Sequence, residues 1–284
     1  MHHKKLTILS DNRTKEPERF QTEHGLAVLY EAGDYTLLLD TGASDLLIRN
    51  AQELNINLGD VDAVFLSHGH ADHIGGLEAF LSQNYIARII VSPEAIDGAF
   101  FSQRNHLHSI TTRWPKDARP GRTLLITQNQ KFLARAHQSF EEGGGIYVIA
   151  DIPHKHPQPE ANRHLFIKTG DNQYRPDDFH HELALYADGL LYTGCAHNGL
   201  ENILEACPWP IHTVIGGFHL LDPHLDEQYE QPEAIIALAQ RLVAQYPKIT
   251  FYTSHCTGDG VFQTMKGVMG NQLQPFYCGQ QIDL

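Results

Sequence analysis

Four side chains able to bind a metal ion, His68, His70, Asp72 and His73, fall within six residues of one another in the stretch Val61 to Leu77, VDAVFLSHGHADHIGGL. The apolar run ending at Ser67 reads as a buried strand that delivers them into a tight turn. Residues two apart in an extended segment point the same way, so His68 and His70 can grip one cation while Asp72 and His73 turn toward a second. Two cations so held lower the pKa of a shared water toward neutrality and polarise a carbonyl or phosphoryl oxygen, which is hydrolytic chemistry. Asp72 can orient that water and accept its proton as well as bind metal. Gly75 and Gly76 let the backbone pass close before a helix over Leu77 to Leu81, whose positive end faces the site.

A two-metal site needs about six to eight protein donors, so other elements must carry in the rest. Thr213 to Phe218 reads as a strand ending at His219, and Ile249 to Thr253 as another ending at His255. Between them Gln231 to Tyr246 is an amphipathic helix burying Ile235, Ile236, Leu238, Ala239, Leu242 and Val243. Strand, helix and strand in succession make parallel neighbours with a right-handed crossover, so both histidines emerge at the carboxyl edge, where open α/β sheets bind ligands. His68 also follows a strand's carboxyl end, and all three are expected to converge.

Two hairpins frame this plan. Gly25 to Tyr30 and Tyr35 to Leu39 pair across Ala32, Gly33 and Asp34 and end in Asp40, which can fix the tautomer of a ligand histidine or cap the helix Ser44 to Leu54, a job Ser44 fits. Leu183 to Thr193 turns at Asp188 and Gly189 and ends in Cys195 and His197. The segments LAVLYEAGDYTLLLDTGASDLLIRNA and LALYADGLLYTGCAHNGLENILEA share one plan, so the chain reads as two halves built alike.

Other stretches read less sharply. Leu6 to Ser10 is a short strand that ends at Asp11 and Asn12. A strand is expected over Tyr85 to Val91, a helix from Pro93, a turn at Gly143 to Gly145, a strand over Ile146 to Ala150, a helix over Val261 to Val268 and a terminal strand over Gln280 to Leu284. Phe100 to Pro120 has no clear period; Arg104, His106, His108 and Arg113 there could meet an anion at a substrate entrance, or belong to a solvated insertion. His154 and His156 repeat the spacing of His68 and His70, but Pro153, Pro157 and Pro159 keep the backbone extended and no carboxylate-histidine pair follows. They read as pocket-lining or solvated residues. His180 and His181 fit a ligand's spacing poorly, Cys207 and Cys278 read as small buried residues, and His2 and His3 as solvated terminal ones.

Composition sets the outer limits. The 284 residues are enough for one large α/β domain or two small ones. A formal net charge of -13 opposes nucleic acid and anionic membrane as partners. No apolar run approaches the roughly 18 residues that span a bilayer. Four scattered cysteines make no disulfide framework, so reduced thiols and a cytoplasmic location are expected.

The motif HGHADH resembles the HxHxDH signature of the metallo-β-lactamase superfamily. TEHGLAVLY, LLLDTGASDLLIRNAQELNI, FLSHGHADHIGGL, TGCAHNGL, VIGGFHL and SHCTG further resemble, in order, the subfamily that includes archaeal-type dihydropterin ribofuranosyl-aminobenzene phosphate synthases. The resemblance implies one αββα sandwich domain over 1–284, with a variable substrate-side insertion around 82–179. It implies a dinuclear site of His68, His70, Asp72, His73, His197, His219 and His255, with Cys195 where many members place a bridging aspartate. Zinc is the first expectation for the two divalent ions, with manganese, iron or magnesium as alternatives. The function expected is hydrolysis of a small anionic molecule, a phosphoester or lactone; the alternative is the subfamily's synthase reaction, a transfer from a pterin diphosphate. A diiron oxidoreductase would carry a carboxylate at His70 and a flavin domain, and a non-catalytic metal sensor would have little need of a full ligand set.

Overall fold

The computed structural model describes residues 4–33, 35–104, 106–132, 145–222 and 227–284. The readings made for His2, His3, Asp34, Gly143 and Gly144 lie outside the described residues. Two seven-stranded sheets carry the chain. The first runs, in spatial order, Gln281–Asp283, Lys4–Ser10, Ala27–Ala32, Tyr35–Leu39, Ala63–Phe65, Arg88–Val91 and Thr123–Leu125. The second runs Leu273–Pro275, Thr250–Thr253, Thr213–Ile215, Leu190–Tyr192, Ala184–Ala187, Ile146–Ile149 and Gln130–Phe132.

Period-two alternation sorts the side chains of both sheets. Leu6, Val28, Tyr30 and Leu37 of the first meet Val148, Leu185, Tyr192 and Ile215 of the second in a shared core. On the outer faces Leu29, Leu38 and Val64 pack with the helices Leu46–Glu53 and Leu77–Gln83, while Leu191, Val214 and Phe251 pack with Leu200–Ala206, Pro232–Gln245 and Asp259–Met269. This is the expected αββα sandwich.

In each sheet an antiparallel hairpin runs into parallel strands. Tyr35–Leu39 is antiparallel to Ala27–Ala32 and parallel to Ala63–Phe65; Leu190–Tyr192 is antiparallel to Ala184–Ala187 and parallel to Thr213–Ile215, which is itself parallel to Thr250–Thr253. The internal likeness in the sequence therefore has a structural counterpart. Parallel strands end at one edge, so Asp40 and His68 leave the first sheet, and His197, His219 and His255 the second, on the same side of the sandwich.

Several local expectations need correction. The strand expected from Tyr85 begins at Arg88, because the Asn84 carboxamide accepts the backbone N–H groups of Ile86 and Ala87 and turns the chain. Tyr85 and Ile86 are exposed as a result. The segment after Phe100 is only partly irregular: Phe100–Gln103 and Leu107–Ser109 form a hairpin that pairs with Leu165–Gly170 in a separate four-stranded sheet, while Ile110 to Pro120 carries no helix or strand. Its partner strand is remote in sequence, which local periodicity cannot register. The tight turn after His70 is a single helical turn, Ala71–Ile74. Helix Pro232–Gln245 buries Ile235, Ala239 and Leu242 but leaves Ile236 exposed. The strand before His219 stops at Ile215. No helix among the described residues is long and apolar enough to cross a membrane.

Candidate metal centre

Presenting side chains at a sheet edge demands abrupt reversals of the backbone, and these are concentrated here. Asp40 (φ 57°), Ala196 (57°), His219 (49°) and His255 (51°) all sit in the left-handed region that non-glycine residues rarely occupy. Such conformations persist where surrounding contacts over-determine them. Asp40 is held in that way. Fully buried, its carboxylate accepts the Ser67 N–H (2.7 Å), the Ser67 hydroxyl (2.6 Å), the Tyr192 hydroxyl (2.7 Å) and His73 Nδ1–H (2.6 Å).

The hydrogen bonds fix which ring nitrogen carries a proton in His68, His197 and His255. Ser67 gives its hydroxyl proton to Asp40, so its oxygen accepts from His68 Nδ1 at 2.9 Å. Asn162 donates its amide to the His197 carbonyl (2.8 Å), which leaves Oδ1 to accept His197 Nδ1–H (3.0 Å). Asn12 treats His255 identically, at 3.3 and 3.0 Å. Each of these rings thus turns Nε2 inward. The Nε2 atoms of His68, His70, His197 and His255 and both ring nitrogens of His219 are buried without a hydrogen-bond partner among the described residues. A buried polar atom left unpaired costs about 1–3 kcal/mol, so several converging at one point need a shared partner.

Divalent cations fit that requirement. The donor atoms of His68, His70 and His197 lie within 4.8 Å of one another, as do those of His68, His73 and Cys195, and those of Cys195, His219 and Cys256. Asp72 Oδ2 stands 3.4 Å from His255 Nε2 and 3.6 Å from His73 Nε2, separations that one ion with ~2.0–2.2 Å bonds can span. Cys195 Sγ is 3.1 Å from His73 Nε2, between the two groups. All eight residues singled out from the sequence therefore meet at one edge of the sandwich.

Electrostatics point the same way. Burial, reinforced by neighbouring imidazoles, holds His68 and His197 well below the ordinary histidine range, and burial lowers His70 against the pull of Asp177. These rings are neutral, as metal ligands must be. Burial opposes the charge on Asp72, but His73 and His255 outweigh it and keep the carboxyl well below the usual range. For His255 burial is outweighed by Asp72, raising it to about 9; a cation in that place would displace the proton. Of the two thiols Cys256 is the one drawn down, burial opposing, by Cys195 and His219, while burial and Cys256 push Cys195 up.

Some histidines are occupied elsewhere. His181 Nδ1 accepts the Gly69 N–H at 3.0 Å, so its Nε2–H donates to Asp177 at 3.1 Å and the ring has no lone pair left for an ion. Asp177 in turn approaches His70 Nε2 at 3.8 Å. His154 bonds Asn198 and His156 bonds Glu205, away from the cluster. The sequence reading passed over Cys256, Asp177, Asn162 and Glu182, and attached no role to His24. Glu182, raised to about 8 by burial, accepts the backbone N–H groups of His197 and Asn198 at 2.7 Å and shapes the loop carrying His197. Its only sequence signal was an isolated acid opening a buried strand.

A cavity of about 250 Å³ opens onto the cluster. His70, Asp72 and Cys195 form part of its wall, and Ser102, Arg104 and His108 reach it from the small sheet. His106 and Arg113, grouped with them in the sequence reading, do not line it.

Comparison with known proteins agrees with this architecture. A sequence model of the metallo-beta-lactamase superfamily matches residues 22–159. The anti-Pycsar protein Apyc1 of Paenibacillus sp. (strain J14) is 32% identical over 187 residues, covering 59% of this chain and 72% of that one. The 7,8-dihydropterin-6-methyl-4-(beta-D-ribofuranosyl)-aminobenzene-5'-phosphate synthase of Methanocaldococcus jannaschii is 23% identical over 276 residues, 89% of this chain and 87% of that one. Among solved structures, Tm1679, a metal-dependent hydrolase of the beta-lactamase superfamily, shares the fold at a TM-score of 0.76 with 23% identity over 99% of both chains. With the sandwich, the HGHADH turn and these relatives in agreement, the chain belongs to the metallo-β-lactamase superfamily.

Proposed function

We propose that the protein is a metal-dependent hydrolase whose two divalent ions act on a small anionic substrate, a phosphoester or a lactone. One observation carries this reading: imidazole nitrogens with no hydrogen-bond partner among the described residues converge in the interior, and the opposite nitrogens of His68, His197 and His255 are committed to acceptors. His68, His70 and His197 hold the first ion; Asp72, His73 and His255 hold the second, with Cys195 between them and His219 beside Cys195. The mixed imidazole, carboxylate and thiolate donors suit zinc better than magnesium. When bound, the ions lower the pKa of a shared water and polarise the substrate's carbonyl or phosphoryl oxygen.

The chain's own groups do the rest. Asp72 both binds and accepts the proton released by the water. Asp40 and Ser67 keep His73 and His68 in the binding tautomer. Arg104 and His108, at the cavity wall, meet the substrate's negative charge. We place all 284 residues in one domain, with specificity set by the variable region around 82–179, whose small sheet supplies that wall while its other strands join the two main sheets. The net charge of -13 favours a small-molecule substrate over nucleic acid, and four free, buried cysteines suit the reducing cytoplasm.

The synthase relative supports a second reading, transfer from a pterin diphosphate to an aminobenzene ribosyl phosphate, because a diphosphate leaving group would draw on the same centre. Incubating zinc-loaded protein with phosphoesters, lactones and the pterin diphosphate pair decides between them. Hydrolysis of an ester or lactone supports the first reading, coupled product without hydrolysis supports the second, and no turnover with full metal occupancy removes both.

A further inference from the structure

We propose that Cys195 and Cys256 are a redox-active pair, which hydrogen peroxide joins into a disulfide that takes the metal centre apart. The strands Leu190–Tyr192, Thr213–Ile215 and Thr250–Thr253 are consecutive parallel neighbours. Cys195 lies beyond the first and Cys256 beyond the third, so at a strand spacing of ~4.8 Å their chains leave the sheet roughly 10 Å apart. Their sulfurs nevertheless lie within 4.8 Å of one another, and Cys256 Sγ stands 3.9 Å from the Cys195 carbonyl oxygen.

Two glycines beyond the middle strand permit this approach. A Cβ on Gly217 would lie 2.3 Å from Cys256 Sγ, and one on Gly216 would lie 2.8 Å from the Gly194 carbonyl oxygen. The Gly217 N–H donates to that carbonyl at 2.7 Å and draws the Cys195 turn inward. Rotation of the two side chains can close the remaining gap to the ~2.05 Å of an S–S bond. Surroundings also set these cysteines apart. Both line the cavity of about 250 Å³ that opens onto the metal centre, through which a molecule little larger than water can enter. Cys207 packs instead in the apolar layer under the outer helices, and Cys278 Sγ accepts from the Asn50 amide at 3.1 Å; neither lines that cavity.

The oxidation takes two steps. One sulfur attacks a peroxide oxygen: an S–O bond forms, the O–O bond breaks and water leaves. The other sulfur then displaces the oxygen of that sulfenic acid: an S–S bond forms, the S–O bond breaks and a second water leaves. In sum the two thiols give up two hydrogens and two electrons, and one hydrogen peroxide becomes two waters. Zinc competes with this reaction. Cys195 Sγ lies 3.1 Å from His73 Nε2, between the two groups of ligands, and a disulfide sulfur no longer supplies a thiolate there. A bond of this kind suits a reducing compartment, where disulfides are transient and redox-sensing. The proposal rests on the metal centre and not on which substrate the centre attacks.

The test treats zinc-loaded and metal-free wild type with hydrogen peroxide, counts thiols, maps peptides without reduction and measures zinc uptake. Of the four free cysteines, Cys195 and Cys256 should be lost together from the metal-free protein, in one crosslinked peptide pair, and dithiothreitol should restore both. The crosslinked protein should fail to take up its full zinc complement, and bound zinc should slow the reaction by at least about tenfold. Cys256→Ser should give no crosslink and accumulate sulfenic and sulfinic acid at Cys195. Peptide mapping of the wild type reports the crosslink whether or not that variant folds. Survival of all four thiols, oxidation confined to Cys207 or Cys278, or oxidation of Cys195 and Cys256 without a crosslink overturns the proposal, as does unchanged zinc uptake by the crosslinked protein. None of these readouts uses turnover, so failure of the hydrolase reading leaves them intact.

Discussion

Replacing Asp40 by asparagine is the sharpest perturbation of the framework, because the change is isosteric and the site is sealed from water. Four donors converge on this carboxylate: the Ser67 amide on one oxygen and the Ser67, Tyr192 and His73 groups on the other. In the cheaper orientation of the amide, its oxygen keeps the last three and its NH2 faces the Ser67 N–H. Exchanging a charged acceptor for a neutral one weakens each of the three bonds by about 1 kcal/mol, and the unpaired N–H adds about 1–3 kcal/mol. Allowing for non-additivity, the metal-free protein should lose about 3–5 kcal/mol, a large share of the ~5–15 kcal/mol typical of whole domains. Metal affinity should fall by about 10- to 100-fold, or ~1.4–2.7 kcal/mol, because the neutral amide holds His73 less firmly in its binding tautomer and raises its basicity less, and His68 is loosened by way of Ser67. Urea denaturation of the metal-free protein gives the first quantity, and competition with a chromophoric chelator gives the second. A variant with the wild-type urea midpoint and wild-type affinities would refute the role given to Asp40.

Other substitutions separate the site from its surroundings. Asp72→Ala should abolish turnover and leave only part of the metal, whereas His154→Ala, whose ring bonds Asn198, should keep full metal content by elemental analysis. Gly194→Ala should destabilise the fold by more than about 1 kcal/mol in a thermal melt and weaken metal binding as well, because Gly194 has φ +58° and an added Cβ would lie 2.4 Å from Ser67 Oγ. Arg241→Ala leaves the buried Glu201 carboxylate without the two 2.7 Å bonds it now receives. Since the arginine is 43% exposed and solvent screens the pair, the loss should be about 1–2 kcal/mol, with metal content unchanged.

The parts of this protein that could be read in advance are those where cause and effect lie close together in sequence. The HGHADH turn states its ligands in one phrase, and the strand, helix and strand around Gln231 to Tyr246 bring His219 and His255 to one edge through a handedness rule that needs no distant information. Asp40 was legible as a carboxylate at a strand end. Asn162 was not, since it acts through a histidine far away in the chain, and Asp177 was not, since its bond with nearby His181 gives no sign of its approach to distant His70. The hairpin at Phe100 to Ser109 was missed for the same reason: its neighbouring strand, Leu165–Gly170, is supplied from beyond a long intervening segment.

The central claim is tested most directly by an anomalous difference map from crystals of zinc-loaded protein. Two peaks about 3.5–4 Å apart are predicted, one among His68, His70 and His197 and the other among Asp72, His73 and His255. A map with no peak at this edge of the sandwich, or with zinc bound only elsewhere, would contradict the account.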